Sequence, residues 1–330
     1  MSLIVDTYRV RVLIIGATGQ DGSILVSQFL RSGHEIFAVA RDLTKLTEET
    51  VRNRNFQAAV DVDLYSPKEA MRFLRAANPE VIFHVAAIHA SSTNMARLGE
   101  ASFDEMHSCH VEITRNILDW QRENISAKLV VALSSQMYSL NSGLSDISEN
   151  SLIFPSSKYG ETKAEAFSLI KNYREKYGVQ AGGAILFNHT SSLSRKDFLF
   201  QLIAKQIAEI IAGHSNEVSL RNPDASLDIC SAEEVCEGLI LLSSLEMLDD
   251  FVFSSGKVQI IRKVITDVFD LCQIDSKPTI IATQNISEVQ KSLVGNPAKA
   301  KKLLGWQSRK MPSQILYEMV INQVKQTSYR

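Results

Sequence analysis

Tyr159 and Lys163 stand four residues apart in the run Tyr-Gly-Glu-Thr-Lys, at the head of an amphipathic stretch. On a helix that spacing puts both side chains on one face. A free phenol titrates at about 10, and a neighbouring ammonium favours its ionised form, so Lys163 would bring Tyr159 toward useful acid or base strength near neutral pH. Ser134 follows the apolar run Leu129 to Leu133, and the carboxyl ends of strands are where open α/β sheets take their ligands. The chemistry open to such a set is acid or base catalysis by the Tyr159 hydroxyl at the ligand end of a sheet.

Gly16-Ala-Thr-Gly-Gln-Asp-Gly22 offers a place for a dinucleotide directly after the strand-like run Val10 to Ile15. The glycines let the backbone approach a pyrophosphate, the following helix N-terminus offers N–H donors and a positive dipole end, and the third glycine permits close helix-to-strand packing. At the end of the next strand stand Arg41 and Asp42. Arg41 suits a ribose 2′-phosphate, which favours NADP over NAD; Asp42 would be the ribose partner of NAD if the turn is tighter.

The elements that must position these residues alternate. Val10 to Ile15, Glu35 to Ala40, Val81 to Val85, Leu129 to Leu133 and Ala181 to Leu186 read as strands. Ser23 to Leu30, Lys68 to Ala77, Val111 to Gln121 and Tyr159 to Tyr177 carry apolar residues at helical spacing. The pattern predicts an α/β fold, a Rossmann doubly wound parallel sheet. Beyond Phe187 the rhythm changes to helices at Phe198 to Ala212 and Glu233 to Leu242, a short strand at Phe251 to Phe253, and a tail with Pro297 in a first helical turn, Gly305 at a helix end and an amphipathic run Ser313 to Val324. A smaller, interleaved C-terminal substrate lobe is expected. Residues 8–187 with about 228–255 form the dinucleotide-binding half, and 188–227 with 256–330 form the lobe.

With 330 residues and 45% hydrophobic content the chain can bury a substantial core. Thirty-five basic against thirty-seven acidic residues, without long runs of either sign, suggest neither nucleic acid nor an anionic membrane as partner. No apolar run reaches the length of a membrane span. The opening segment, broken by Asp6, Arg9 and Arg11, does not read as a signal peptide. Four scattered cysteines, Cys109, Cys230, Cys236 and Cys272, fit buried thiols in a reducing compartment, so a cytoplasmic enzyme is expected. His107-Ser108-Cys109-His110 looks like a metal cluster, but neighbours on one helix point different ways, and no metal is expected. His84 and His89 border the end of the 81–85 strand and read as semi-buried, satisfied histidines.

The chain resembles extended short-chain dehydrogenase/reductases of the NAD-dependent epimerase/dehydratase family, most nearly the GDP-mannose 4,6-dehydratases. The matching stretches are the glycine loop through Ser23, Tyr159 to Lys163, Asn172 to Gly178, Ile185-Leu-Phe-Asn-His189 and Gly295 to Trp306. By that resemblance Gly16, Thr18, Gly19, Gln20, Asp21, Gly22, Arg41, Asp63, Leu64, Val85, Ala86, Ala87, Tyr159, Lys163, Leu186 and His189 line the cofactor. Ser134, Tyr159 and Lys163 fall on the family's catalytic set, and Ser135, Gln136 and Asn188 face the nucleotide-sugar. A GDP-linked substrate is favoured, and a homodimer or homotetramer is expected.

The family pattern breaks at Gln136, where the dehydratases carry a glutamate that removes the proton beside the new 4-ketone. An amide has no useful basicity. The nearest acids are Asp146 and Glu149. The family's arginines for the GDP moiety fall on Leu193, Ser194, Leu227 and Asn285, with Arg195, Lys196 and Arg221 as nearby substitutes. Hydride chemistry survives these losses, so the leading expectation is an NADP-dependent 4-keto-sugar reductase or epimerase. A GDP-sugar 4,6-dehydratase with a recruited base comes second, and a non-catalytic cofactor-binding protein third.

Overall fold

A computed structural model describes residues 9–59, 62–88, 102–139, 146–274, 278–284 and 292–328. The first half runs β1 (Arg11–Ile15), α1 (Gln20–Arg31), β2 (Glu35–Val39), α2 (Glu48–Arg52), β3 (Phe56–Ala59), α3 (Pro67–Ala77), β4 (Val81–His84), α4 (Phe103–His107), α5 (Ile113–Gln121), β5 (Lys128–Ala132), α6 (Lys158–Tyr177) and β6 (Gln180–Leu186). The second half runs β7 (Asn188–Thr190), α7 (Leu199–Ile211), β8 (Glu217–Leu220), β9 (Ser226–Leu227), β10 (Ile229–Ser231), α8 (Ala232–Ser243), β11 (Phe251–Phe253), β12 (Gln259–Ile260), α9 (Ile261–Leu271), β13 (Thr279–Ala282), α10 (Ala298–Leu304) and α11 (Pro312–Ser328).

Seven strands pair in parallel in the order β3-β2-β1-β4-β5-β6-β11. The chain winds outward from β1 through β2 to β3, then returns to lay β4 against the other side of β1, so the winding reverses between β1 and β4. A crevice opens at the carboxyl ends of strands at such a reversal, and Gly16 and Val85 follow those two strand ends.

Period-two alternation assigns each strand residue to one of two cores. Leu13, Ile15, Ile82, Leu129 and Val131 face α3, α5 and α6, where they meet Leu74, Ile117, Phe167 and Ile170. Val12, Ile14, Ile36, Phe83 and Val130 face α1 and α8, where they meet Leu25, Phe29, Leu239 and Leu242. Strands buried on both faces must be apolar throughout, which is why they read as uninterrupted Val, Ile and Leu runs. A third core joins α7, α9 and α11 over β8 through Ile203, Ile207, Val264, Val268, Leu316, Val320 and Val218.

Some of the architecture departs from the sequence reading. β3, Phe-Gln-Ala-Ala, was not anticipated. Alanine and glutamine are weak strand formers, and pairing with β2 from Ile36↔Phe56 to Val39↔Ala59 supplies what local preference does not. The helix expected from Val111 begins earlier, because α4 passes through a π-helical turn at Ser108–Glu112 before continuing as α5. Pro297 is the N-cap of α10 and not a residue of its first turn, while Gly305 closes that helix at φ +66°. Trp306, just beyond, stands edge-on to Phe253 with centroids 4.9 Å apart, and its Nε1 donates to the Glu234 carbonyl at 2.6 Å.

Candidate active site

The glycine loop closes the crevice floor. Gly16 has φ +92°, and a Cβ there would lie 2.7 Å from the Ala86 backbone, so the turn after β1 touches the segment after β4. A Cβ on Gly22 would lie 2.1 Å from the Gly16 carbonyl oxygen; only glycine lets α1 start this close to β1. Gly16 and Ala17 donate backbone N–H groups to the Val39 carbonyl at 2.9 and 3.2 Å. The N-cap of α1 is Gly19, with no side chain bonded across the helix start. That geometry fits a dinucleotide: an open helix N-terminus, backbone stripped of Cβ atoms, and α/β crevice walls at Val85, Ala86 and Ala87. At the end of β2 Arg41 and Asp42 are both exposed, and Asp42 Oδ1 accepts within its own loop from the Thr44 N–H at 3.0 Å and hydroxyl at 2.6 Å. Asp63 likewise accepts from the N–H groups of Tyr65 and Ser66, and Leu64 is buried beneath.

Ser134, Tyr159 and Lys163 come together at the carboxyl end of β5. Ser157 caps α6 by accepting from the Gly160 N–H at 3.0 Å, which fixes Tyr159 in the first turn. The Ser134 side chain is hydrogen-bonded to the Tyr159 phenol and also accepts from the Gln136 N–H at 3.2 Å. Lys163 lies 5.7 Å from the Tyr159 ring centroid and donates from Nζ to the Ala132 carbonyl at 2.8 Å. Burial lowers the Lys163 ammonium to about 8, and burial pushes the Tyr159 phenol well above its ordinary value, against the opposing hydrogen bond from Ser134. The sequence expectation that Lys163 pulls the phenol toward ionisation is not what dominates here. Both groups have lost their hydration, which shifts each toward its neutral form, although a Lys163 ammonium at about 8 still keeps its proton at neutral pH.

Gln136 is exposed beside this set, and its Oε1 accepts from the Ser157 hydroxyl at 3.2 Å. The two acids nearest in sequence make contacts of their own: Asp146 Oδ2 accepts from Asn296 at 3.0 Å, and Glu149 Oε1 accepts from the Val252 N–H at 2.8 Å. Ser135 lies half-buried in the same short turn. Asn188 is exposed, with Nδ2 donating to the Asp228 carbonyl at 3.2 Å, and Leu186 is buried.

His189 faces acceptors on both ring nitrogens: the Phe187 carbonyl at 2.8 Å from Nδ1, and Asp21 Oδ2 at 3.0 Å from Nε2. Only an imidazolium can donate from both. Burial alone would lower its pKa, but the Asp21 carboxylate and the two hydrogen bonds raise it to about 9. Ser191 donates to Gln20 at 3.2 Å, so Gln20 and Asp21 both tie α1 to the segment after β6. Among the substitute cations, Arg195 is held bidentately by Asp197 at 3.0 and 2.7 Å, and Arg221 bonds Gln284 at 2.6 Å; Lys196 is exposed. Leu193 is exposed, Ser194 buried and Leu227 half-buried, whereas His89 and Asn285 lie outside the described residues.

Three buried groups were not anticipated in these roles. Asp228 accepts from the Ser255 N–H at 2.9 Å, the Ser255 and Ser254 hydroxyls at 2.6 Å each, and the Gly295 N–H at 3.1 Å. His84 is fully buried, with Nε2 facing the Cys109 carbonyl at 2.9 Å and Nδ1 without a hydrogen-bond partner among the described residues. Burial, then the Lys163 charge, depress it to about 3, so the ring is neutral. His110 packs against Tyr159 with centroids 5.2 Å apart. The sequence marks His84 only as a semi-buried, satisfied strand-end histidine and His110 only as part of an apparent cluster, and it gives Asp228 no signal. His107 turns elsewhere, to Glu165 at 3.2 Å.

A doubly wound sheet with this glycine cradle and a Ser-Tyr-Lys set defines an NAD(P)-dependent nucleotide-sugar enzyme of the extended short-chain dehydrogenase/reductase, epimerase/dehydratase class. The profile of the GDP-mannose 4,6 dehydratase family matches residues 13–319, and the chain belongs to that family. It is 25% identical to the GDP-mannose 4,6-dehydratase of Vibrio cholerae over 354 aligned positions, covering 96% of this chain and 94% of that one. The fold is shared with UDP-glucuronic acid 4-epimerase of Bacillus cereus, solved with UDP-glucuronic acid and NAD (TM-score 0.78, 18% identity, 96% and 99% coverage). It is shared also with RMD of Pseudomonas aeruginosa, solved with NADPH (TM-score 0.75, 19% identity, 96% and 98% coverage). Among the described residues no helix is long and apolar enough to cross a membrane.

Proposed function

We propose that the protein is an NADP-dependent oxidoreductase of nucleotide-linked sugars that reduces a 4-keto group, or epimerises by transient oxidation, and that it does not carry out 4,6-dehydration. The observation that carries this reading is Gln136, an amide engaged with Ser157 where elimination needs a carboxylate. Loss of a general base costs about 10²- to 10⁴-fold, and the carboxylates of Asp146 and Glu149 are occupied elsewhere.

In this reading Tyr159 exchanges a proton with the sugar oxygen, Ser134 hydrogen-bonds that oxygen, and Lys163 stands behind the phenol. Bound NADP would supply the carbon that takes up or gives hydride. Residues 8–187 with about 228–255 hold the cofactor along Gly16, Thr18, Gly19, Gln20, Asp21, Gly22, Asp63, Leu64, Val85, Ala86, Ala87, Leu186 and His189; residues 188–227 and 256–330, with Ser135, Gln136 and Asn188, hold the sugar nucleotide. NADP is preferred because Arg41 is exposed at the ribose end, where an arginine suits a 2′-phosphate, while one oxygen of Asp42 is engaged by Thr44. A GDP-linked substrate, a homodimer or homotetramer, and a cytoplasmic location complete the proposal.

Family membership favours a second reading, a GDP-mannose 4,6-dehydratase with another base. One experiment separates the two: purified protein is incubated with GDP-, UDP-, CDP- and dTDP-sugars, including 4-keto forms, following NADPH absorbance and product mass. NADPH consumption on a 4-keto sugar, or epimer formation without mass change, supports the proposal. An 18-dalton loss from GDP-mannose at about 1 per second or faster overturns it. Gln136→Glu is the substitution expected to gain a trace of that loss.

A further inference from the structure

The histidine-cysteine run on the π-helical turn finds no place in the function proposed above, yet one of its members touches the reacting phenol. His110 is 1% exposed, and its ring stands at 89° to Tyr159 with centroids 5.2 Å apart. Its Nε2 receives the Ile88 N–H at 3.2 Å, and its Nδ1 lies 2.8 Å from the Thr162 hydroxyl. That hydroxyl in turn donates to the Tyr159 carbonyl at 3.0 Å.

The directions of these bonds follow from chemistry alone. A backbone N–H only donates, so Nε2 must present its lone pair and Nδ1 must carry the hydrogen. The Thr162 hydroxyl spends its one hydrogen on the Tyr159 carbonyl and so accepts from Nδ1. A one-way chain results, from the Ile88 N–H through neutral His110 and Thr162 to the backbone of Tyr159. Ile88 directly continues the Val85-Ala86-Ala87 segment, and Ala86 is the residue against which Gly16 packs.

We infer that His110 is a positioning residue for Tyr159, joining the phenol's ring and backbone to the strand-end segment that walls the dinucleotide crevice. The π-helical turn has a use in this light. An added residue in a helical turn redirects the side chains on it, and here the turn aims His110 into the seam between β4 and α6. The ring bounds Tyr159 on one side, Ser134 holds its hydroxyl, and Lys163 stands over its face. Misplacing a reacting group by about 1 Å can cost on the order of 100-fold in rate, so a group that fixes both ring and backbone acts on turnover more than on binding.

The inference rests on Tyr159 being the proton-exchanging group, and its test separates the two ideas. Protein labelled with ¹³Cζ-tyrosine is saturated with NADPH, and the Tyr159 resonance is assigned by its loss in Tyr159→Phe. His110→Phe, which keeps a ring and loses both hydrogen bonds, is expected to shift that resonance; so are His110→Gln and Thr162→Val. Ring ¹⁵N shifts of the parent should show a pyrrole-like Nδ1 and a pyridine-like Nε2 on His110. On a GDP-linked 4-keto-6-deoxyhexose, kcat should fall about 10- to 100-fold in His110→Phe, with KM and the NADPH Kd within about twofold of the parent, and the His110→Phe, Thr162→Val double variant should be no worse than the worse single one. An unmoved Tyr159 resonance in folded His110→Phe and His110→Gln, or the opposite tautomer, overturns the inference. Parent-like turnover in Tyr159→Phe would instead overturn the catalytic reading while leaving the resonance test in force.

Discussion

At the residue scale the site is governed by what burial does to charge. His189 is charged because a carboxylate and a carbonyl close on it from both sides, and its pKa of about 9 lies above the ordinary imidazole value of about 6.5. The folded protein therefore binds more protons than the unfolded chain between those two values, and stability must fall as pH rises across them. The pair's contribution is complete below about pH 6.5 and gone above about pH 9, a loss on the order of 3 kcal/mol. Urea unfolding at pH 6 and pH 9.5 should show that loss in the parent and far less of it in His189→Gln; parallel losses in both proteins would exclude the pair as the cause. At the other end of the crevice, Arg41→Ala should bring the Kd for NADP close to that for NAD while sparing NAD, measured by fluorescence titration. Equal affinities in the parent would refute the assignment of Arg41. That Ser134, Tyr159 and Lys163 meet at the end of β5, and that the glycine loop joins β1 to α1, was legible in the sequence because YxxxK, the strand-end serine and the glycine loop are local patterns. The tautomer of His110, the charge of His189 and the four donors on Asp228 were not, since each depends on partners far along the chain.

Among the elements, α1 shows most directly how sequence sets geometry. Its start is pressed so closely on β1 that a single methyl at Gly22 would lie 2.1 Å from the Gly16 oxygen and 2.7 Å from Ala17 Cα. Backbone cannot yield there as a flexible side chain would. Gly22→Ala should thus push α1 outward, costing about 1–3 kcal/mol or more and weakening NADPH binding at least about tenfold, as isothermal titration would read. Undiminished affinity would place the pyrophosphate elsewhere. The strands and longer helices were legible because burial on both faces leaves continuous apolar runs and helix faces repeat every three to four residues. β3 escaped because its four residues carry little preference of their own. The pairs β7–β10, β8–β13 and β9–β12 escaped because strands of two to four residues are too short for a repeating pattern to show.

The whole molecule is held together by a tail that returns to the seven-stranded sheet. After α10, Trp306 is 2% exposed against Phe253 of β11 and α8. Buried Glu234 receives the N–H groups of Arg309 and Lys310 at 3.1 and 3.2 Å. Trp306→Ala should lose about 3–5 kcal/mol of stability in chemical denaturation, while NADPH binding measured well below the transition stays within about twofold of the parent. A loss under 1 kcal/mol would mean that the tail only rests on the surface.

The Asp228 carboxylate has a bearing on how the chain is made. Two of its four donors come from Ser255, one from Ser254 at the end of β11, and one from Gly295, forty residues further on. A buried carboxylate short of one donor is costly. On a ribosome, where earlier residues fold first, the Rossmann sheet can gain its edge strand β11 before Gly295 has left the exit tunnel, but it cannot yet seal Asp228 from water. Completion of the Asp228 donor set therefore waits on Gly295, forty residues after Ser255 in the chain.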